Sequence, residues 1–283
     1  MVNSNEILIK AANGGYAIPQ FNITNLEWIK YILEKCEELK SPVILGASEG
    51  AIKYMGGYNV VYSLVNALVN ELNITVPIVL HLDHGTSVES CKNAIDAGFN
   101  SVMIDASKYE LNENIRITKE VVDYAKERNV SVEAEVGSIG GIEDNISANI
   151  KYANVEDCIK FVNETKVNSF APALGTVHGF FKGELNIDFD RMKQIKELVN
   201  IPLVLHGGTG VGDELIKKSI YNGISKINID TELKSAWNDA VREFINNNKE
   251  EYDPRKIISS GEKSLKDVII RKTNLFGSIN KNL

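Results

Sequence analysis

Eight times along the chain, a short apolar run gives way to a stretch with apolar residues at helical spacing. That alternation marks parallel strands joined by crossover helices, because a parallel pair cannot be closed by a tight turn. The apolar runs cover 16–21, 42–47, 78–82, 101–104, 130–134, 167–173, 202–205 and 225–229. Between them, Leu26, Ile29, Leu33, Cys36 and Leu39 share one helix face, and Ile115, Thr118, Val122 and Ala125 share another. Thr24 and Glu27 read as a capping box, Ser87 and Asn154 as helix starts, and a helical segment follows Tyr252. Doubly wound sheets share this alternation. Eight units, nearly all with a polar residue at the strand end, instead predict an α/β fold of the closed (β/α)8 TIM-barrel type. A short C-terminal helical extension completes it. No linker or shift of composition interrupts the chain, so 1–283 reads as a single barrel domain.

A formal charge of −7 without a basic patch argues against nucleic acid, so an anionic ligand needs local devices such as backbone amides. Cys36, Cys91 and Cys158 are widely spaced and odd in number, which fits reduced core thiols rather than a disulfide framework. The N-terminus has no apolar core of a signal peptide, and no stretch is apolar enough to span a bilayer. The expectation is a soluble cytoplasmic protein with no membrane partner.

In a barrel, chemistry gathers at the carboxyl ends of the strands. The run Val79-Leu80-His81-Leu82-Asp83-His84-Gly85 ends in a carboxylate and an imidazole beside a glycine. Of the four histidines, His84, His178 and His206 follow strands three, six and seven. In a closed barrel those ends meet, and three histidines with an open fourth position describe a catalytic zinc site. His81 lies inside its strand and reads as structural. Asp83 either orients an imidazole from behind or serves as a general acid–base at the mouth. Neighbouring strand residues point to opposite faces, so Asp83 and His84 share the mouth only if the strand has turned. Asp105 and Glu135 end the next two strands and either bind a second cation or hydrogen-bond the ligands. Gly207-Gly208-Thr209-Gly210 follows strand seven, where glycines let backbone N–H groups approach a phosphate. The long stretch 136–152 carries Gly137, Gly140, Gly141, Glu143 and Asp144, and reads as a structureless mobile lid bearing a base.

Together these residues resemble the class II, metal-dependent ketose-bisphosphate aldolases essentially end to end. The resemblance rests on the stretches 80–85, 97–105, 132–137, 173–179, 202–210, 226–231 and 252–256. It implies reversible cleavage of fructose 1,6-bisphosphate to dihydroxyacetone phosphate and glyceraldehyde 3-phosphate. Tagatose 1,6-bisphosphate or a related ketose phosphate is the alternative. By that resemblance His84, His178 and His206 bind a catalytic Zn2+, while Asp105 and Glu135 match an alternative or second cation site. Asp83 exchanges the proton of the C4 hydroxyl, Glu143 takes the proton from dihydroxyacetone phosphate, and Asn228 stabilises the enediolate. Gly179, Lys182, Gly207, Gly208 and Thr209, with Asn228, Ile229, Asp230 and Thr231, match the site of the ketone half and its phosphate. Asn22 and Ser48 are further substrate contacts. Arg255 matches an arginine that reaches the far phosphate from a neighbouring subunit, which implies a homodimer or homotetramer. Lys108 departs from the family, which usually has histidine there. Two other chemistries set the contrast: a Schiff-base aldolase using Lys226, and a metal-dependent barrel hydrolase. The hydrolase should show histidines in the first strand, where Ile18-Pro19-Gln20-Phe21-Asn22 has none.

Overall fold

In a computed structural model of the chain, eight parallel strands close into a barrel in chain order. They are Ile18–Asn22, Val43–Ser48, Ile78–Gly85, Ser101–Ile104, Ser131–Val136, Ser169–Pro172, Leu203–Leu205 and Ile224–Ile229. The first and eighth are paired from Ile18↔Lys226 to Phe21↔Ile229, which seals the ring. The structure describes every residue except 144–145, 149–150, 180–184 and 283; for 141–143 and 146–148 it describes the backbone course alone.

Strand alternation sorts the residues into two faces. Phe21, Leu45, Leu80, Leu82, Val102, Val132, Phe170, Leu205 and Ile227 look outward into one large apolar cluster with the surrounding helices. The axis of the barrel is different. At the strand starts, Ile18, Ile44 and Val79 pack against Ile7, Leu8 and Ala11 of an N-terminal helix, Ser4–Gly14. That helix closes the amino-terminal end, and Ser4 Oγ lies 2.5 Å from Ser131 Oγ and 3.2 Å from Ser101 Oγ. Higher up, Gln20, His81, Glu133 and Lys226 are all buried, so the middle of the barrel is polar.

Several elements differ from the sequence expectation. The N-terminal helix was not foreseen. The second crossover is two helices, Glu49–Met55 and Tyr58–Glu71, broken where Gly56 and Gly57 take positive φ. The C-terminal extension is also two helices, Pro254–Ser259 and Glu262–Phe276. Helix Leu26–Glu38 is capped by Asn25, whose side chain accepts from Trp28 N, rather than by Thr24. Leu26, expected on the buried face of its helix, is exposed, whereas Ile29, Leu33 and Cys36 of the same face are buried. The stretch 136–152 is not structureless. Strands Gly140–Glu143 and Ile146–Ala148 form an antiparallel hairpin, and the first also pairs in parallel with Val177–His178. Among the described residues, no helix is long and apolar enough to cross a membrane.

Candidate active site

The third strand runs three residues past its apolar core, to Gly85, and its register with the fourth shifts between Leu82 and Gly85. Alternation already turns His81 and Asp83 inward. By the same rule His84 would face the helices. It does not, because its backbone lies at φ 50°, a left-handed conformation that costs a non-glycine residue about 1–2 kcal/mol. This one dihedral places two consecutive polar side chains at the same mouth, and such local strain is typical of functional sites.

The other two imidazoles come from strand exits six and seven. Gly207 lies at φ 66°, and a Cβ there would stand 2.3 Å from the Val177 carbonyl oxygen. Only glycine lets the exit of strand seven press against the segment carrying His178. The three rings gather as a result: centroids of His84 and His206 are 4.7 Å apart, His84 and His178 5.2 Å, and His178 and His206 5.9 Å. One ligand atom from each lies within 4.8 Å of the others.

Two of these rings are braced by carboxylates. His84 Nδ1 lies 2.9 Å from Asp105 Oδ2, and His206 Nε2 lies 2.9 Å from Glu133 Oε1. Burial pushes the Asp105 carboxyl up, but hydrogen bonds from His84 and Ser107 outweigh it and hold it below the usual carboxylate range. Burial also opposes ionisation of Glu133, but the Lys226 ammonium and the His206 hydrogen bond hold it well below that range. An ionised carboxylate only accepts, so each facing ring nitrogen carries the hydrogen. The remaining nitrogens, His84 Nε2 and His206 Nδ1, are therefore left as acceptors; they stand 2.9 Å apart, and Asn228 Nδ2 lies 3.3 Å from His206 Nδ1. Two lone pairs at that separation repel unless a cation lies beside both. This donor set fits a soft divalent metal of the zinc type. Burial draws His206 down from its ordinary pKa despite the Glu133 hydrogen bond, which favours the neutral ligating form.

Asp83 is bonded differently. Its Oδ2 accepts from Asn22 Nδ2 at 2.9 Å and its Oδ1 from Asn228 Nδ2 at 3.3 Å. Burial would raise its carboxyl, yet His84, His206 and Lys226 outweigh burial and keep it ionised. A buried carboxylate held by two amides at the rim is arranged to exchange a proton with a bound ligand. Lys226 is engaged elsewhere: its Nζ lies 2.9 and 2.7 Å from the two oxygens of Glu133.

The sequence model of the family "Fructose-bisphosphate aldolase class-II" matches residues 2–281. The chain belongs to this family. It is 51% identical over 282 residues to a fructose-bisphosphate aldolase of Geobacillus stearothermophilus, covering 99% of this chain and 98% of that one. It is 50% identical over 275 residues to a 6-phospho-5-dehydro-2-deoxy-D-gluconate aldolase of Shouchella clausii, covering 97% and 94%. Among solved structures, the YdjI aldolase of Escherichia coli K12 superposes with a TM-score of 0.88 at 33% identity, covering 100% of this chain and 99% of that one. Class II aldolases are metal-dependent lyases of phosphorylated sugars, and three imidazoles around one point suit that chemistry.

The remaining candidates occupy several places in this aldolase fold. Asn22, Ser48 and Asp230 line one pocket of about 120 Å³ together with Tyr54 and Lys234, and Lys234 pairs with Asp230. Gly207, Gly208 and Thr209 lead from strand seven, and Thr209 Oγ1 accepts from Glu232 N in the first turn of helix Thr231–Asn247. Asn228 and Ile229 end strand eight beside that turn. Gly179 follows His178 at φ 84°. Glu135 is buried, and its Oε1 accepts from Ile139 N. Arg255 is exposed and bonds Asp253 at its own helix start. Lys108 stands over the Tyr109 ring, 5.2 Å from its centre. Lys182 and the Glu143 side chain lie outside the described residues, although the Glu143 backbone ends the first hairpin strand. Sequence reasoning missed Glu133 and Gln20. Their signal was inward-facing polar residues in the middle of otherwise apolar strands.

Proposed function

We propose that this chain cleaves fructose 1,6-bisphosphate reversibly to dihydroxyacetone phosphate and glyceraldehyde 3-phosphate. The observation that carries the reading is the convergence of one ligand atom each from His84, His178 and His206 within 4.8 Å of one another, beside the ionised Asp83. His84, His178 and His206 would hold Zn2+, with Asp105 and Glu135 available to a second cation. When bound, that metal supplies Lewis-acid stabilisation of negative charge on the ketone half.

The chain's own residues do the rest. Asp83 accepts the proton of the hydroxyl on the carbon that becomes the aldehyde, as the C3–C4 bond breaks. Asn228, already bonded to Asp83, offers its amide to the charge developing on the ketone half. Glu143, on the hairpin paired with the His178 segment, exchanges the proton of that half. Gly179, Lys182 and the Gly207 to Thr209 turn hold its phosphate, with the backbone N–H groups at the start of helix Thr231–Asn247. Asn22 and Ser48 receive the aldehyde half, and Arg255 reaches the far phosphate of a neighbouring subunit in a homodimer or homotetramer. The whole chain acts as one barrel unit, and the buried free thiols of Cys36, Cys91 and Cys158 suit the cytoplasm.

The test is a rate comparison at defined zinc content on fructose 1,6-bisphosphate, tagatose 1,6-bisphosphate and the phosphorylated 2-deoxy-ketogluconate named for the Shouchella relative. Fructose 1,6-bisphosphate should be fastest. EDTA should abolish cleavage, and borohydride with dihydroxyacetone phosphate should trap no adduct on Lys226. Cleavage that survives complete metal removal overturns the proposal.

A further inference from the structure

We infer that the buried Glu133–Lys226 pair is a positioning device that fixes which nitrogen of His206 faces the mouth, and so sets metal affinity from the barrel centre. The inference rests on the proposed role of His206 as a metal ligand. Glu133 comes from strand five and Lys226 from strand eight, and their side chains meet across the axis. Lys226 Nζ donates to both carboxylate oxygens, and Ser169 Oγ donates to Oε2 at 3.3 Å. These contacts fix the carboxylate plane. Its Oε1 then has one direction left in which to accept, and His206 Nε2 occupies it at 2.9 Å.

The consequence for His206 is geometric. A ring donating through Nε2 keeps its lone pair on Nδ1 and turns that atom towards His84 Nε2 at 2.9 Å, with the Asn228 amide nitrogen 3.3 Å away. The opposite tautomer would aim an N–H at the same point and exclude a cation. An imidazole with a free partner samples both tautomers, whereas one clamped by an accept-only group holds one. All three of Glu133, Lys226 and His206 are 1% exposed or less, so water cannot substitute for any of these bonds cheaply. The arrangement also accounts for a buried lysine that the proposed reaction leaves without a chemical step.

Removing one partner of a buried ion pair is destabilising, but removing both charges together is often tolerated. The decisive variant is therefore the double substitution Glu133→Gln with Lys226→Met. It should fold, with a cooperative thermal transition like that of the parent. Its zinc dissociation constant, read by competition with a chromophoric chelator, should rise roughly 10–100-fold. In the metal-free state, 15N chemical shifts of His206 should change from a single Nε2–H form to a mixture. A merely structural role would move the thermal midpoint and leave zinc affinity and the 15N pattern untouched, which would overturn the inference. Should the double variant not fold, the parent protein alone decides: metal-free His206 must be protonated on Nε2 and bare on Nδ1, and the reverse result overturns the inference. Neither readout requires turnover, so failure of the proposed aldolase reaction would leave this result interpretable.

Discussion

Asp83→Asn separates proton transfer from scaffolding, because the two side chains have the same shape. The carboxylate accepts from Asn22 at 2.9 Å and from Asn228 at 3.3 Å. An amide retains one accepting oxygen, so one of those two buried donors would face an NH2 group. A buried donor without an acceptor costs about 1–3 kcal/mol. For a chain of this size that corresponds to roughly 2–4 °C of thermal midpoint per kcal/mol. The loss of a proton acceptor is larger. General base removal typically costs about 10²–10⁴-fold in rate, equal to about 2.7–5.4 kcal/mol of barrier. Zinc content should hold, since both hydrogen bonds of the Asp83 carboxylate go to amides rather than to a ring. The assay is coupled release of triose phosphate at saturating substrate, with zinc quantified on the same sample. Cleavage within about tenfold of the parent at full zinc content would show that Asp83 is not the proton acceptor. Loss of zinc in proportion to activity would reassign it as a support for the ligands.

Other outcomes follow from the same geometry. His84→Ala and His206→Ala should each lose zinc binding and turnover while circular dichroism stays that of the parent; a metal-loaded, active His206→Ala enzyme would contradict the ligand assignment. Burial, reinforced by Lys226, pulls His81 down to about 3 from its ordinary 6.5. Between those values the unfolded chain binds a proton that the folded chain refuses. Stability of the metal-free protein should therefore fall as pH drops through that window, with His81 contributing up to about 1.4 kcal/mol per pH unit. His81→Gln should flatten that slope in denaturant titrations, and an unchanged slope would refute the assignment. Leu8→Ala, at the closed end of the barrel, should cost about 2–5 kcal/mol by denaturant unfolding while leaving kcat near the parent value at low temperature.

The barrel was legible because parallel strands buried on both faces read as apolar runs between periodic helices. The strand-end residues were legible for the same reason: each run stops where a polar residue begins. What escaped was local. Nothing in the sequence announces that His84 adopts a positive φ, so its sharing of the mouth with Asp83 had to be left open. The helix Ser4–Gly14 buries only Ile7, Leu8 and Ala11 among its apolar residues, a stripe too narrow to stand out beside the longer helices. The hairpin over 140–148 has no run of alternating residues to mark it, and its ladder to Val177–His178 is a tertiary fact. Glu133 and Lys226 were visible as charged residues within strands. Their pairing depends on which strands face one another across the axis, and spacing along the chain does not give that.

The three imidazoles stand on different elements. His84 and His206 lean on carboxylates rooted in barrel strands, whereas His178 sits on a two-residue strand whose ladder neighbour is the hairpin. Gly141 pairs with His178, and Glu143 ends the same short strand. Any displacement of the strand Gly140–Glu143 would therefore move the proposed metal donor His178 together with the backbone that carries the proposed base Glu143, so the two proposed roles are coupled through one short ladder.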